Sequence, residues 1–278
     1  MTYTTFKTTK ENHILEVTFD YPLVNIQDVK MLDDLNLLAQ ELEKCTDTKV
    51  VIFKSSNPEI FVAHADTNFL KDISTTAVAL ENVELSYLQT TLKRINELSQ
   101  VTIAQIEGYC RGGGNEFALA CDMRFADIDK AIFMQMEVGM GILPCGGGAS
   151  RLSRLTGIGR ALEIILSGRD FNAKEAQKYG MINKAFKKDD LHKYVNDLSQ
   201  RIAQFPFGSI KACKKAIYAS SNLTINEALK HEAFWLYQAT STTPAIKRFT
   251  IADETGFEYK MENQRNFEQA LIDLQEIE

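Results

Sequence analysis

Two apolar periods alternate along the first half of the chain. An apolar alternation through Ile14, Val17 and Phe19 predicts a strand, and Met31, Leu35, Leu38 and Leu42 then recur at helical spacing over 28–44. Val50, Val51, Ile52 and Phe53 form an unbroken apolar run of the kind a buried strand needs. Residues 55–58 read as a turn, and 61–66 as a loop opening a short helix at 66–70. A long helix is predicted over 81–99, then strands at 101–106, 123–127 and 131–135, with a helix at 115–121 between the first two. Strand, helix and strand in this order imply parallel pairing through helical crossovers, hence an α/β core rather than a sandwich.

Beyond Gly146 the pattern turns helical. Helices are predicted at 149–155, 159–166, 173–179, 190–204, 208–220 and 224–240, with one short strand at 181–186. Pro206 and Gly208 are the clearest punctuation and divide the chain into 1–205 and a helical region 206–278.

Composition narrows the function classes. With 278 residues, 45% of them apolar, the chain can bury a sizeable core. A formal charge of −6 argues against a general affinity for nucleic acid. Five cysteines without a CxxC pair fit a reducing, cytoplasmic setting better than a disulfide framework. No run approaches the ~18 apolar residues of a membrane span, so no membrane partner is expected. His13, His64, His192 and His231 are scattered without ligand spacing, and no metal is expected.

The candidate chemistry gathers around Gly112, Gly113 and Gly114, between a predicted strand and a predicted helix. A helix start leaves backbone N–H groups unpaired and carries partial positive charge, so main chain alone can hold an oxyanion there. Glu116 follows one turn later, within reach of the same bound group. A second acid, Glu137, stands at a predicted strand end among Met134, Met136 and Val138, where partial desolvation would raise its pKa toward proton transfer. Each acid alone has an ordinary alternative: Glu116 as a helix-start acid, Glu137 as a surface carboxylate.

Several segments in order carry a resemblance. They are Phe61-Val62-Ala63-His64-Ala65-Asp66, Gly108 through Glu116, Cys121-Asp122, Gln135-Met136-Glu137, Gly141-Ile142-Leu143-Pro144, Gly146-Gly147-Gly148, Arg151-Leu152, residues 157–161, 173–176 and 179–183. Together they resemble the crotonase (enoyl-CoA hydratase/isomerase) superfamily over most of the chain, weakening after about Thr240. The resemblance implies a crotonase-like (ClpP/crotonase) α/β fold, with a ββα spiral core and a helical C-terminal region for oligomerisation and a pocket wall. It implies an acyl-CoA thioester as substrate, no separate cofactor because coenzyme A belongs to the substrate, and a homotrimer or hexamer. By motif position the oxyanion donors are the amides of Ala65 and Gly113, with Glu116 and Glu137 flanking the water that a hydratase adds to a 2-enoyl-CoA. Gln135 matches a glutamine that orients one of these acids, and Ala63, His64, Asp66 and Cys145 fall in substrate-binding positions. Both acids together favour hydration over the isomerase branch, which needs only the second.

Departures from the pattern keep other readings in view. His64 stands where the family usually has glycine, which predicts an unusual backbone angle with the ring turned to solvent or a neighbouring carbonyl; turned inward, it would bond the acyl group or restrict its size. Cys145 also replaces a frequent glycine; a thiol before a glycine-rich helix start can have a lowered pKa, although the passive reading is preferred. For the coenzyme A phosphates, Lys71, Arg111 and the run Lys211, Lys214 and Lys215 are candidates. Rivals to hydration are 3-enoyl-CoA isomerisation by Glu137 alone, an altered acyl-CoA-binding protein, and acyl transfer through Cys145. Trp235 with Phe234, Leu236 and Tyr237 reads as a packing or subunit-contact stripe.

Overall fold

The computed structural model describes residues 3–72, 78–221 and 223–274, side chains at 70–72 excepted. It opens with a hairpin of β1 (Phe6–Glu11) and β2 (Ile14–Phe19), whose two-residue turn places Asn12 and His13 at φ of 47° and 67°. Positive φ at both positions matches the strand twist of a tight hairpin. Sequence reasoning missed β1 because only Phe6 of its six residues is buried; an edge strand facing water shows no apolar alternation.

After α1 (Val29–Lys44), capped by Asp28 accepting from the Met31 amide at 2.9 Å, the chain repeats one unit. β3 (Val50–Ser55) enters a first sheet, β4 (Ile60–Val62) a second, and α2 (Tyr87–Glu97) follows. Next come β5 (Val101–Ile106), β6 (Tyr109–Arg111) and α3 (Gly113–Ala120). Then β7 (Met123–Asp127) and β8 (Ile132–Met134) precede α4 (Gly148–Thr156) and α5 (Ile158–Ser167). β9 (Phe171–Asn172), α6 (Ala173–Tyr179), β10 (Lys184–Phe186) and α7 (Lys188–Ala203) complete this part. The first sheet has the order β1-β2-β3-β5-β7-β10, parallel from β2 onward; the second is β4-β6-β8-β9, parallel except for β9. The parallel core expected from the strand–helix alternation is present, with antiparallel additions at its edges.

Three boundaries differ from expectation. The helix predicted over 81–99 starts at Tyr87, because Ser86 and Gln89 form a reciprocal cap, with 2.8 and 3.2 Å bonds, that fixes its first turn. The strand predicted at 181–186 is only β10, since Met181 and Ile182 still donate back to the Ala176 carbonyl behind the left-handed Gly180. The helix after the glycine run begins at Gly113, and β6 lies between it and β5.

The core of this part is aromatic where the two sheets meet α3. Phe117 meets Phe19 and Phe53 edge-on at 5.4 and 5.0 Å, each such pair adding about 0.5–1.5 kcal/mol beyond its burial. α3 is buried along its whole length, so the glycine turn at its start is held from every side.

The chain divides into two compact units, Met1–Ser199 and Gln200–Glu278. The second contains α8 (Phe207–Ser220), α9 (Ile225–Thr240), α10 (Thr243–Thr255), α11 (Met261–Arg265) and α12 (Phe267–Asp273). Ile251, Phe257, Ala270 and Leu274 form a small core there, while Phe234, Leu236 and Tyr237 of α9 are exposed. Among the described residues no helix is long and apolar enough to cross a membrane.

Candidate active site

Strand order builds the site. β4, β6 and β8 are adjacent and parallel, so their C-terminal ends emerge at one edge of the second sheet. The 63–66 loop follows β4, the glycine turn follows β6, and Gln135 to Glu137 follow β8. Loops beyond the carboxyl ends of parallel strands are where α/β folds place ligands.

Glycine is required at the turn itself. Gly112 has φ 48° and ψ −124°, a conformation closed to side chains, and a Cβ there would lie 3.1 Å from His64 Cβ and 3.2 Å from Glu137 Oε1. A Cβ on Gly114 would stand 2.0 Å from the Val62 carbonyl oxygen, so α3 can press against the end of β4 only through glycine. Gly113 lies directly beside Ala65: a Cβ on it would be 2.8 Å from the Ala65 amide nitrogen. The two expected donors, far apart along the chain, are thus neighbours in space.

Their backbone setting favours donation. The peptide carrying the Ala65 N–H presents its carbonyl, His64 O, to the Gln27 N–H at 3.2 Å. The peptide carrying the Gly113 N–H presents Gly112 O to the Glu116 N–H at 2.9 Å. Bonding at a peptide's carbonyl polarises its N–H, and neither amide donates to an acceptor among the described residues.

Two acids flank the glycine turn, Glu116 within α3 and Glu137 with its Oε1 3.2 Å from the place of a Cβ on Gly112. Glu116, 3% exposed, accepts from the Gly148 amide at 2.8 Å at the start of α4. Burial raises its pKa from the usual 4.5 to about 7, outweighing the Gly148 hydrogen bond, and the nearby Glu137 charge adds to the rise. Glu137 is buried in the turn after β8, and burial raises its pKa too, against the opposing pull of backbone bonds and Gln135. Gln135 Nε2 donates to Glu137 Oε2 at 3.1 Å while Asn115 Nδ2 donates to Gln135 Oε1 at 2.6 Å, a chain that fixes the carboxylate. The room for Glu116 is made by glycines: a Cβ on Gly146 would come 2.6 Å from its Oε2 and 3.1 Å from Leu88.

The other expected residues divide. Ala63 is tied by its amide to the carbonyls of Val24 and Asn25. Asp66 accepts from the Asn68 amide at 2.9 Å and so caps the following 3-10 turn. His64 does not have the unusual angle expected of it; among the described non-glycine residues only Asn12, His13 and Asn25 have positive φ. Its Nδ1 donates to the Ala65 carbonyl at 2.9 Å, its Cβ flanks Gly112, and its charge would pull the Glu137 pKa down. Cys145 is on the surface, and partial burial followed by the Glu116 charge raises its thiol pKa, opposite to a nucleophile's lowered value. Arg111 is held by Asp170 through 2.8 and 2.6 Å bonds, which neutralises its charge locally. The Lys71 side chain and residues 73–77 lie outside the described residues. Asn115 and Leu88 enter the site without having been singled out, and so does Gln27, whose carboxamide lies against Gly113.

The Enoyl-CoA hydratase/isomerase family model matches residues 9–265. The chain is 31% identical over 226 residues to the short-chain-enoyl-CoA hydratase of Clostridium acetobutylicum, covering 81% of this chain and 85% of that protein. Its fold matches the enoyl-CoA hydratase structure from Bacillus anthracis with a TM-score of 0.81 at 26% identity, over 91% of this chain and 97% of that one. The enoyl-CoA hydratase structure from Thermoplasma volcanium matches at 0.77 and 25% identity, over 88% and 96%.

Proposed function

We propose, on the premise that the chain belongs to the enoyl-CoA hydratase/isomerase family and has its crotonase fold, that it hydrates a 2-enoyl-CoA thioester. The observation that carries this reading is the meeting of two undonated amides, Ala65 and Gly113, with two buried acids whose pKa values are raised. The amides hold the thioester oxygen and stabilise the enolate that forms on it. Ionised Glu116 takes a proton from water as the water oxygen bonds to the β carbon, and the double-bond electrons move onto the thioester oxygen. Protonated Glu137 then delivers its proton to the α carbon, restoring the carbonyl. One proton shared between two close acids suits this division, because the charge on either raises the pKa of the other. Asn115 and Gln135 keep Glu137 aimed.

His64 stands beside Glu137 and Gly112 and would limit or contact the acyl group near its reacting end. Cys145 and Ala63 would border the substrate passively. No cofactor enters the scheme beyond the coenzyme A of the substrate. Exposed Phe234, Leu236 and Tyr237 on α9 support self-association as a trimer or hexamer, and five free cysteines support a cytoplasmic setting. The test is loss of the conjugated-thioester absorbance when the purified protein meets enoyl-CoA esters of graded chain length. No change with any ester would refute hydration. Glu116→Gln separates the nearest rival, since an isomerase working through Glu137 alone would retain most of its rate.

A further inference from the structure

Gln27 lies in the seam between the two donor-bearing segments. Its own backbone clamps the first one, donating from N to His64 O at 3.2 Å and accepting from Asp66 N at 2.9 Å. Its side chain reaches across to the second: a Cβ on Gly113 would fall 2.3 Å from Gln27 Oε1 and 2.8 Å from the Ala65 amide nitrogen. The residue is 0% exposed, yet neither Oε1 nor Nε2 has a hydrogen-bond partner among the described residues.

A buried carboxamide without partners is costly, and a leucine of similar size would fill the space without that cost. What glutamine supplies and leucine lacks is a dipole. With neither end bonded, no hydrogen bond among the described residues fixes which way the carboxamide dipole points. We propose that Gln27 is an electrostatic positioning residue of the oxyanion site, an orientable dipole that turns its Nε2 end toward the charge developing on the thioester oxygen. It acts through space from behind Gly113 and Ala65, consistent with its complete burial. In surroundings poor in water such a dipole is weakly screened. This inference rests on the proposed thioester site, and it adds a third group to the two amides.

Gln27→Leu separates shape from polarity. The expected variant folds with a thermal midpoint at or above the parent's, and its kcat falls about tenfold while KM stays within about twofold. A second readout does not need hydration: bound acetoacetyl-CoA, a β-keto thioester, absorbs in the near ultraviolet as its enolate, and that band should weaken by a similar factor. Gln27→Met, unbranched and flexible, carries the same comparison should the leucine variant fail to fold. A folded variant with unchanged kcat and an unchanged enolate band would overturn the proposal and leave Gln27 as a space filler. If the parent hydrates no ester but shows an enolate band that Gln27→Leu loses, hydration fails and the role of Gln27 stands.

Discussion

Replacing Glu116 by glutamine should stabilise the protein in a pH-dependent way while abolishing most of its activity. Burial holds the folded-state pKa near 7, against 4.5 for an ordinary glutamate. Between those values the folded state binds the proton and the unfolded state does not, so stability falls as pH rises. The stabilising contribution is complete below about pH 4.5, declines through the interval, and is gone above about pH 7. At 1.36 kcal/mol for each pH unit, the interval amounts to roughly 3 kcal/mol. Glutamine does not titrate, and its carbonyl can still accept from the Gly148 amide. Urea denaturation at several pH values should therefore show the variant gaining on the parent by most of that roughly 3 kcal/mol between about pH 5 and pH 8. Hydration should fall by about 10²- to 10⁴-fold, the usual range for a lost general base. A stability difference that stays constant across the range would refute the assignment of a raised pKa to this carboxyl.

Other outcomes follow from the same geometry. The parent's kcat/KM should depend on pH near neutrality, because hydration needs one proton on the pair, with Glu116 ionised and Glu137 protonated, and burial raises the pKa of both acids; a flat profile contradicts the division of roles. Cys145→Ala should keep hydration within about threefold and the parent thiol should react slowly with iodoacetamide at neutral pH, whereas a covalent acyl adduct in the mass spectrum would revive acyl transfer. Gly114→Ala should destabilise by about 3 kcal/mol or more in urea unfolding, since its Cβ would stand 2.0 and 2.5 Å from the carbonyl oxygens of Val62 and Ala63; a smaller loss would mean that β4 can yield.

How much of the fold could be read along the chain depends on how each element is stabilised. α1 and β3 were legible because a buried face leaves a period or an unbroken apolar run: Met31, Leu35, Leu38 and Leu42 for the first, Val50 to Phe53 for the second. β1 left no such trace, since its neighbour β2 supplies backbone bonds while five of its side chains face water. The three-residue strands β4 and β6 are too short for any period to show, although they carry the loops on which the site depends. Three consecutive glycines advertised the turn; the sheet beneath it had to be seen.

The candidate site divides along the same physical line. The glycine run was legible because steep local demands, a closed backbone conformation and missing room for a Cβ, restrict the residue types there, whereas Glu116 and Glu137, each with an ordinary alternative, were paired only by the family resemblance. Of the two expectations for His64, the ring turned to a neighbouring carbonyl held, and the unusual backbone angle failed for a related reason. Its place in the loop suggested strained backbone, but the strain lies across the gap at Gly112, whose φ is 48°. With the demand met there, position 64 has ordinary backbone and admits a side chain, and the imidazole is free to bond the Ala65 carbonyl. Gln27 is the opposite case. Nothing in its neighbourhood along the chain marks it, because its signal is the lack of partners for a buried amide, and partners are a property of three-dimensional packing. A polar residue whose cost has no structural return is where a role in the reaction is to be sought.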